Sequence, residues 1–202
     1  MDRIEQNEAG LEKSQQMLEL IKHYHEGQFR SNGKVPYWHH SQSVAEIMLD
    51  AIKQSGEFEG EEGKVEQLFL AAQGHDLYED TDIDPDEIKE KFGVEIHDLI
   101  QGLTNEHGDH DRAGYIEKLI NASEEVRLIK FADMVDNTVG CAYNIFDLGV
   151  EWVKGFFLPI ISEQREKLAD LTFTKYPRTA TLLKSQFDFS YQRLQQNLAK
   201  YE

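Results

Sequence analysis

The residues of this chain best suited to chemistry are concentrated in Gly74-His75-Asp76-Leu77-Tyr78-Glu79-Asp80-Thr81, where one histidine and three carboxylates fall within six consecutive positions. Imidazole and carboxylate groups bind divalent cations and move protons at neutral pH. The stretch follows an apolar run, Leu68-Phe69-Leu70-Ala71-Ala72. A helix over about Lys64 to Tyr78, continued through Asp80, would stack His75 on Glu79 and Asp76 on Asp80 at i, i+4. The alternative is an amphipathic helix fraying into a solvated acidic turn at Glu79-Asp80-Thr81-Asp82.

A cation needs further ligands from elsewhere in the chain. His40 stands near the start of a predicted helix, about His40 to Gln54, whose inward residues are Val44, Ile47, Met48 and Ala51. Asp133 interrupts a largely apolar segment, between Ile129, Phe131 and Ala132 on one side and Met134 and Val135 on the other. A carboxylate buried there without a partner would be costly, and a metal is one remedy. A salt bridge or a helix cap is the other.

Helical spacing recurs along the rest of the chain. Leu11, Met17, Leu18, Ile21 and Tyr24 predict a first helix from about Gly10 to Phe29, followed by a turn at Ser31-Asn32-Gly33-Lys34-Val35-Pro36. Asp84-Pro85-Asp86-Glu87 predicts a capped helix start, Val94 to Leu103 the next helix, and Ala113 to Asn121 another. Ser123 should cap the helix that carries Asp133, with Glu124 and Glu125 in its first turn. Two long helices, about Trp152 to Phe173 and Arg178 to Lys200, complete an all-α, single-domain reading of residues 1–202. No alternating, strand-like segment interrupts it.

His40, His75-Asp76, Glu79-Asp80-Thr81 and Asp133, in that order, resemble the HD-domain metal-dependent phosphohydrolases. More narrowly they resemble the hydrolase domain of RelA/SpoT-type enzymes and the small stand-alone alarmone hydrolases. Three blocks carry the resemblance, over about residues 18–144. They are Pro36-Tyr37-Trp38-His39-His40, His75-Asp76-Leu77-Tyr78-Glu79-Asp80-Thr81, and Lys130-Phe131-Ala132-Asp133-Met134-Val135-Asp136-Asn137. The resemblance implies a compact HD-type helical bundle with His40, His75, Asp76 and Asp133 as metal ligands and manganese as the metal. It makes Glu79 and Asp80 the catalytic acidic pair, and puts Arg30 and Asn137 against the nucleotide. The implied reaction removes the 3′-pyrophosphate from guanosine 3′,5′-bis(diphosphate). Hydrolysis of another nucleotide, or a nucleotide-binding module without turnover, are the alternatives. At 202 residues the implied form is stand-alone and hydrolysis-only. The chain departs from the family pattern at Gln73-Gly74, at Ser41 after His40, and at Met134 and Asp136.

Composition bounds the partners. The formal net charge of −17 argues against general binding of nucleic-acid polymers or anionic membranes, because phosphate recognition rests on lysine and arginine. It leaves room for a small nucleotide beside a cation. Neither a signal-peptide pattern nor an apolar segment of membrane-spanning length occurs, and the single Cys141 suits a reducing compartment, so a cytoplasmic location is expected. Cys141 is expected to be structural. His39, His23 and His25 read as surface or core-edge residues, and His107, His110 and Asp111 as a solvated loop that could also cover a substrate mouth. Tyr115 reads as an amphipathic-helix tyrosine, with a substrate-facing role as the alternative. Trp152, Phe156, Phe157 and Phe173 read as core or as a self-association face, which would make a homo-oligomer.

Overall fold

A computed structural model describes residues 3–106 and 108–201 and contains no β-strand among them. Helix α1 spans Arg3–Tyr24, α2 Trp38–Ser55 and α3 Glu62–Gln73. Short α4 (Leu77–Asp80) leads to α5 (Pro85–Phe92) and α6 (Val94–Leu103). Then come α7 (Arg112–Asn121) and α8 (Glu124–Tyr143). Two short helices, α9 (Ile145–Leu148) and α10 (Val150–Trp152), precede α11 (Leu158–Leu168) and α12 (Pro177–Leu198).

The bundle is built around α8, against which α2, α3, α6, α7 and α12 all pack. Its sequence explains the position: Leu128, Ile129, Phe131, Ala132, Met134 and Val135 are all buried, so no face is left for solvent at mid-helix. Helix α2 shows one apolar stripe, Val44, Ala45, Met48, Ala51 and Ile52, with Glu46, Asp50 and Lys53 exposed on the other side. Both predicted N-caps form. Asp84 accepts the Asp86 N–H at 3.0 Å ahead of Pro85, and Ser123 Oγ accepts the Val126 N–H at 3.3 Å.

Two expectations fail in an informative way. The third helix does not run through Asp80. It ends at Gln73, and Gly74-His75-Asp76 form a turn before α4 begins. A Cβ on Gly74 would stand 2.8 Å from Ile100 Cδ1 and 3.3 Å from Met17 Sδ, so this turn is pressed against α6 and α1 where only glycine fits. His75 Nδ1 then bonds Ala72 O at 2.9 Å, a carbonyl the continued helix would have used itself. The expected helix from Trp152 to Phe173 is also broken, by a π-turn at Val153–Phe157 and an end at Leu168. Pro159 follows that turn and lacks the N–H that a regular helix would require. The aromatic cluster is correspondingly divided. Phe157 and Phe173 pack on the core, while Trp152 and Phe156 keep exposed faces.

The first helix also stops earlier than its spacing suggests, at Tyr24, and Gly27 takes a left-handed turn (φ 77°). Beyond it, residues 28–37 form a hairpin-like loop closed by Arg30 N–H to Val35 O (2.8 Å) and Tyr37 N–H to Gln28 O (3.0 Å). This loop holds Arg30 against α8.

Candidate active site

The α2 start, the α3–α4 turn and the middle of α8 bring His40, His75, Asp76 and Asp133 together. His40 Nε2 lies 3.2 Å from Asp133 Oδ1 and 3.4 Å from Asp76 Oδ2. His75 Nε2 lies 2.9 Å from Asp76 Oδ2 and 3.6 Å from Asp133 Oδ1. The donor atoms of His40, His75 and Asp76 all fall within 4.8 Å of one another. Neighbouring ligands of a six-coordinate cation with bonds near 2.1 Å are roughly 3 Å apart, so these separations suit one small divalent ion.

The tautomers suit it as well. His40 Nδ1 is 2.6 Å from Asp136 Oδ2, and His75 Nδ1 is 2.9 Å from Ala72 O. With each Nδ1 carrying its hydrogen to an acceptor, both Nε2 lone pairs face the cluster. His75 Nε2 is buried and has no aligned hydrogen bond, despite its proximity to Asp76. Such an atom would be costly if left unpaired, and a cation is the partner that the surrounding donors would share with it. The carboxylates are oriented in turn. Asp76 Oδ2 accepts from Tyr37 Oη at 2.8 Å. Asp133 accepts from Lys130 Nζ at 2.8 Å and from Asn137 Nδ2 at 2.5 Å.

The electrostatics point the same way. Burial opposes charge on His40, yet Asp133, Asp136 and Asp76 outweigh it and push the imidazole up to about 9. His75 is also raised despite burial, chiefly by Asp76. Burial would raise Asp76 and Asp133, but His75 and Lys130 respectively hold them well below the usual carboxylate range. A nest of carboxylates that favours positive charge on two buried imidazoles could hold a cation in place of those protons.

Glu79 and Asp80 stand at the edge of the cluster, in α4. They open onto a cavity of about 200 Å³ that His40, His75, Asp76 and Asp133 also line. Enclosure by protein pushes Glu79 up to about 7, with the charge of Asp76 adding to the effect against the Asn105 N–H that Glu79 accepts at 2.9 Å. Asp80 is raised by the same two causes. Arg30 does not reach this cavity. It lines a second one of about 190 Å³, with Asn32, His39, Asn144, Trp152 and others, and His40 and Asn137 form walls of both. All eight candidate residues therefore border one or other of two cavities that share His40 and Asn137 as walls.

Several residues of the site carry no obvious signal in sequence. Tyr37 reaches Asp76 across a loop, and Ile160, Glu163 and Gln164 of α11 close the first cavity from the far end of the chain. Lys130 was findable, since it precedes Asp133 by one helical turn. Tyr115 lines the first cavity but spends its hydroxyl on Leu103 O at 2.8 Å. His39 lies beside the second cavity, stacked on Trp38. His25 is buried against Tyr37, and His23 is exposed. His110 is exposed, Asp111 caps α7 through the Gly114 N–H, and His107 lies outside the described residues. Cys141 is buried, with burial pushing its thiol up to about 12.

Fold and cluster together define the class, an all-α domain with a candidate histidine and carboxylate metal site. A solved structure of a metazoan SpoT orthologue, described as hydrolysing ppGpp, superposes with a TM-score of 0.68 over 90% of this chain and 94% of that one, at 20% identity. Sequence relatives narrow the class. Guanosine-3′,5′-bis(diphosphate) 3′-pyrophosphohydrolase of Borreliella burgdorferi is 30% identical over 183 residues, covering 80% of this chain and 25% of that protein. The Danio rerio protein of that name, MESH1, is 31% identical over 117 residues, 56% of each. The chain is thus similar to (p)ppGpp 3′-pyrophosphohydrolases, and it spans from a quarter to about half of the length of these two relatives. No family model matches it. Among the described residues no helix is long and apolar enough to cross a membrane.

Proposed function

We propose that this chain is a manganese-dependent phosphohydrolase that removes the 3′-pyrophosphate from guanosine 3′,5′-bis(diphosphate), yielding GDP and inorganic pyrophosphate. The observation that carries the reading is the convergence of two imidazole Nε2 atoms and two carboxylates beside Glu79 and Asp80 on one cavity. The activity for which the sequence relatives are named supports the choice of substrate.

His40, His75, Asp76 and Asp133 would hold the cation. Mixed nitrogen and oxygen ligation suits manganese among the divalent metals. When bound, the cation supplies Lewis acidity toward water and toward phosphoryl oxygens. Glu79, poised near neutrality, accepts a proton from the attacking water as its oxygen adds to phosphorus. Asp80, beside Glu79 on the same cavity, orients that water. As the bond between phosphorus and the ribose 3′-oxygen breaks, the proton held on Glu79 is available to that oxygen. Arg30, in the second chamber, packs on the nucleobase, and Asn137, in the shared wall, fixes the nucleotide between the chambers. The substrate is a small nucleotide, with manganese offsetting its charge against an acidic surface.

Purified protein, given manganese and a panel of nucleotides that includes guanosine tetraphosphate, should release GDP and pyrophosphate, identified by chromatography. Chelation and Asp76→Ala should each abolish the release. Turnover of a different nucleotide alone would discard the substrate and keep the chemistry. A manganese-loaded protein inert across the panel would discard the hydrolase reading.

A further inference from the structure

Asp136 is not among the four candidate ligands, yet it lines the second chamber and contacts His40, a wall of both. One of its oxygens, Oδ2, lies 2.6 Å from His40 Nδ1 and 3.2 Å from Arg30 Nη2. His40 turns its other nitrogen to the metal cluster, and Arg30 is the only lysine or arginine lining the second chamber among the described residues. Helix α8 makes room for the guanidinium with Gly140, where a Cβ would come within 3.3 Å of Arg30 Nη2. The two imidazoles are therefore held differently. His75 leans on a backbone carbonyl, which is neutral and fixed, whereas His40 leans on a carboxylate that an arginine also claims.

Resting on the metal and nucleotide reading above, we propose that Asp136 is a positioning residue that sets the tautomer and donor strength of His40, and that its shared oxygen couples metal affinity to occupancy of the Arg30 chamber. A carboxylate bonded to the far side of a ligating imidazole strengthens the near nitrogen as a donor. Arg30 draws on the same oxygen and so weakens that effect. A nucleoside that recruits the guanidinium returns the carboxylate's charge to His40 and moves a cation away from the metal. The metal must then favour nucleoside binding by the same factor.

The test is a Mn²⁺ titration of the full chain, followed by the electron paramagnetic resonance signal of free ion and by calorimetry, without turnover. Asp136→Asn keeps shape and should weaken Mn²⁺ about 10–100-fold. Asp136→Ser, checked by circular dichroism, gives the same reading should the first variant misfold. Arg30→Gln should do the opposite and tighten Mn²⁺ several-fold, a gain that Asp136→Asn removes in the double variant. Guanosine, which has no phosphate to reach the ion, should tighten Mn²⁺ in the natural protein and leave Arg30→Gln unchanged. Natural affinity in both Asp136 variants, a loss or no change in Arg30→Gln, or indifference to guanosine would each overturn the coupling while leaving the hydrolase reading intact. A natural protein that binds no Mn²⁺ would overturn both.

Discussion

Glu79 is the residue on which a pH profile can be read directly. Its ordinary value is 4.5, and burial followed by the charge of Asp76 carries it to about 7. As the proposed general base it works only when ionised, so activity should climb about tenfold per pH unit below 7 and flatten above it. Glu79→Gln should lose about 10²–10⁴ in kcat, and whatever activity remains should no longer show that rise. Manganese affinity should be unaltered, since Glu79 lies outside the proposed ligand set, and a large loss of affinity would remove Glu79 from the role of base.

At the scale of elements, the break between α3 and α4 is what makes the site. A continuous helix would stack His75 over Glu79, whereas the turn at Gly74 sends His75 and Asp76 toward α2 and α8 and leaves Glu79 facing the cavity. Gly74→Ala places a methyl 2.8 Å from the end of Ile100. Overpacking of that kind costs about 1–3 kcal/mol, visible as a lower melting temperature. Because the strain falls beside two candidate ligands, metal affinity should fall with it. Unchanged melting and binding would mean that the turn tolerates a side chain. The helix pattern itself was legible, down to the caps at Asp84 and Ser123, because it rests on local spacing and local hydrogen bonds. The break was not, since its cause lies in Ile100 and Met17, distant in sequence.

At the scale of the molecule, the candidate ligands tie three segments of the bundle to one point. A cation bound there and not to the unfolded chain adds stability by mass action, about 2.7 kcal/mol at a hundredfold excess over its dissociation constant. Manganese should raise the melting temperature and chelator should lower it, with Asp133→Asn blunting both changes in a calorimetric scan. Equal melting with and without ion would separate the cluster from the metal. Tertiary packing also gives the C-terminal helices a role that their sequence left open. α12 lies along α8, and Ile160, Glu163 and Gln164 of α11 wall the first cavity. The connection between them is pinned by Glu124, which accepts the Thr174, Lys175 and Tyr176 N–H groups, and the start of α12 by Glu57, which accepts those of Arg178 and Thr179.

By itself the sequence determined an all-α chain, the order of its helices, and the residue types able to hold a cation and move a proton. Helical periodicity, capping and ligand chemistry are properties of neighbouring residues, so they can be read from neighbouring letters. That His40, His75, Asp76 and Asp133 meet was an expectation from resemblance until the tertiary structure brought them together, and the tertiary structure alone decided that Asp136 stands between His40 and Arg30. It also placed Tyr37 and α11 around the cluster. Those relations join residues tens of positions apart, and they exist only once burial of the apolar faces has fixed how the helices cross.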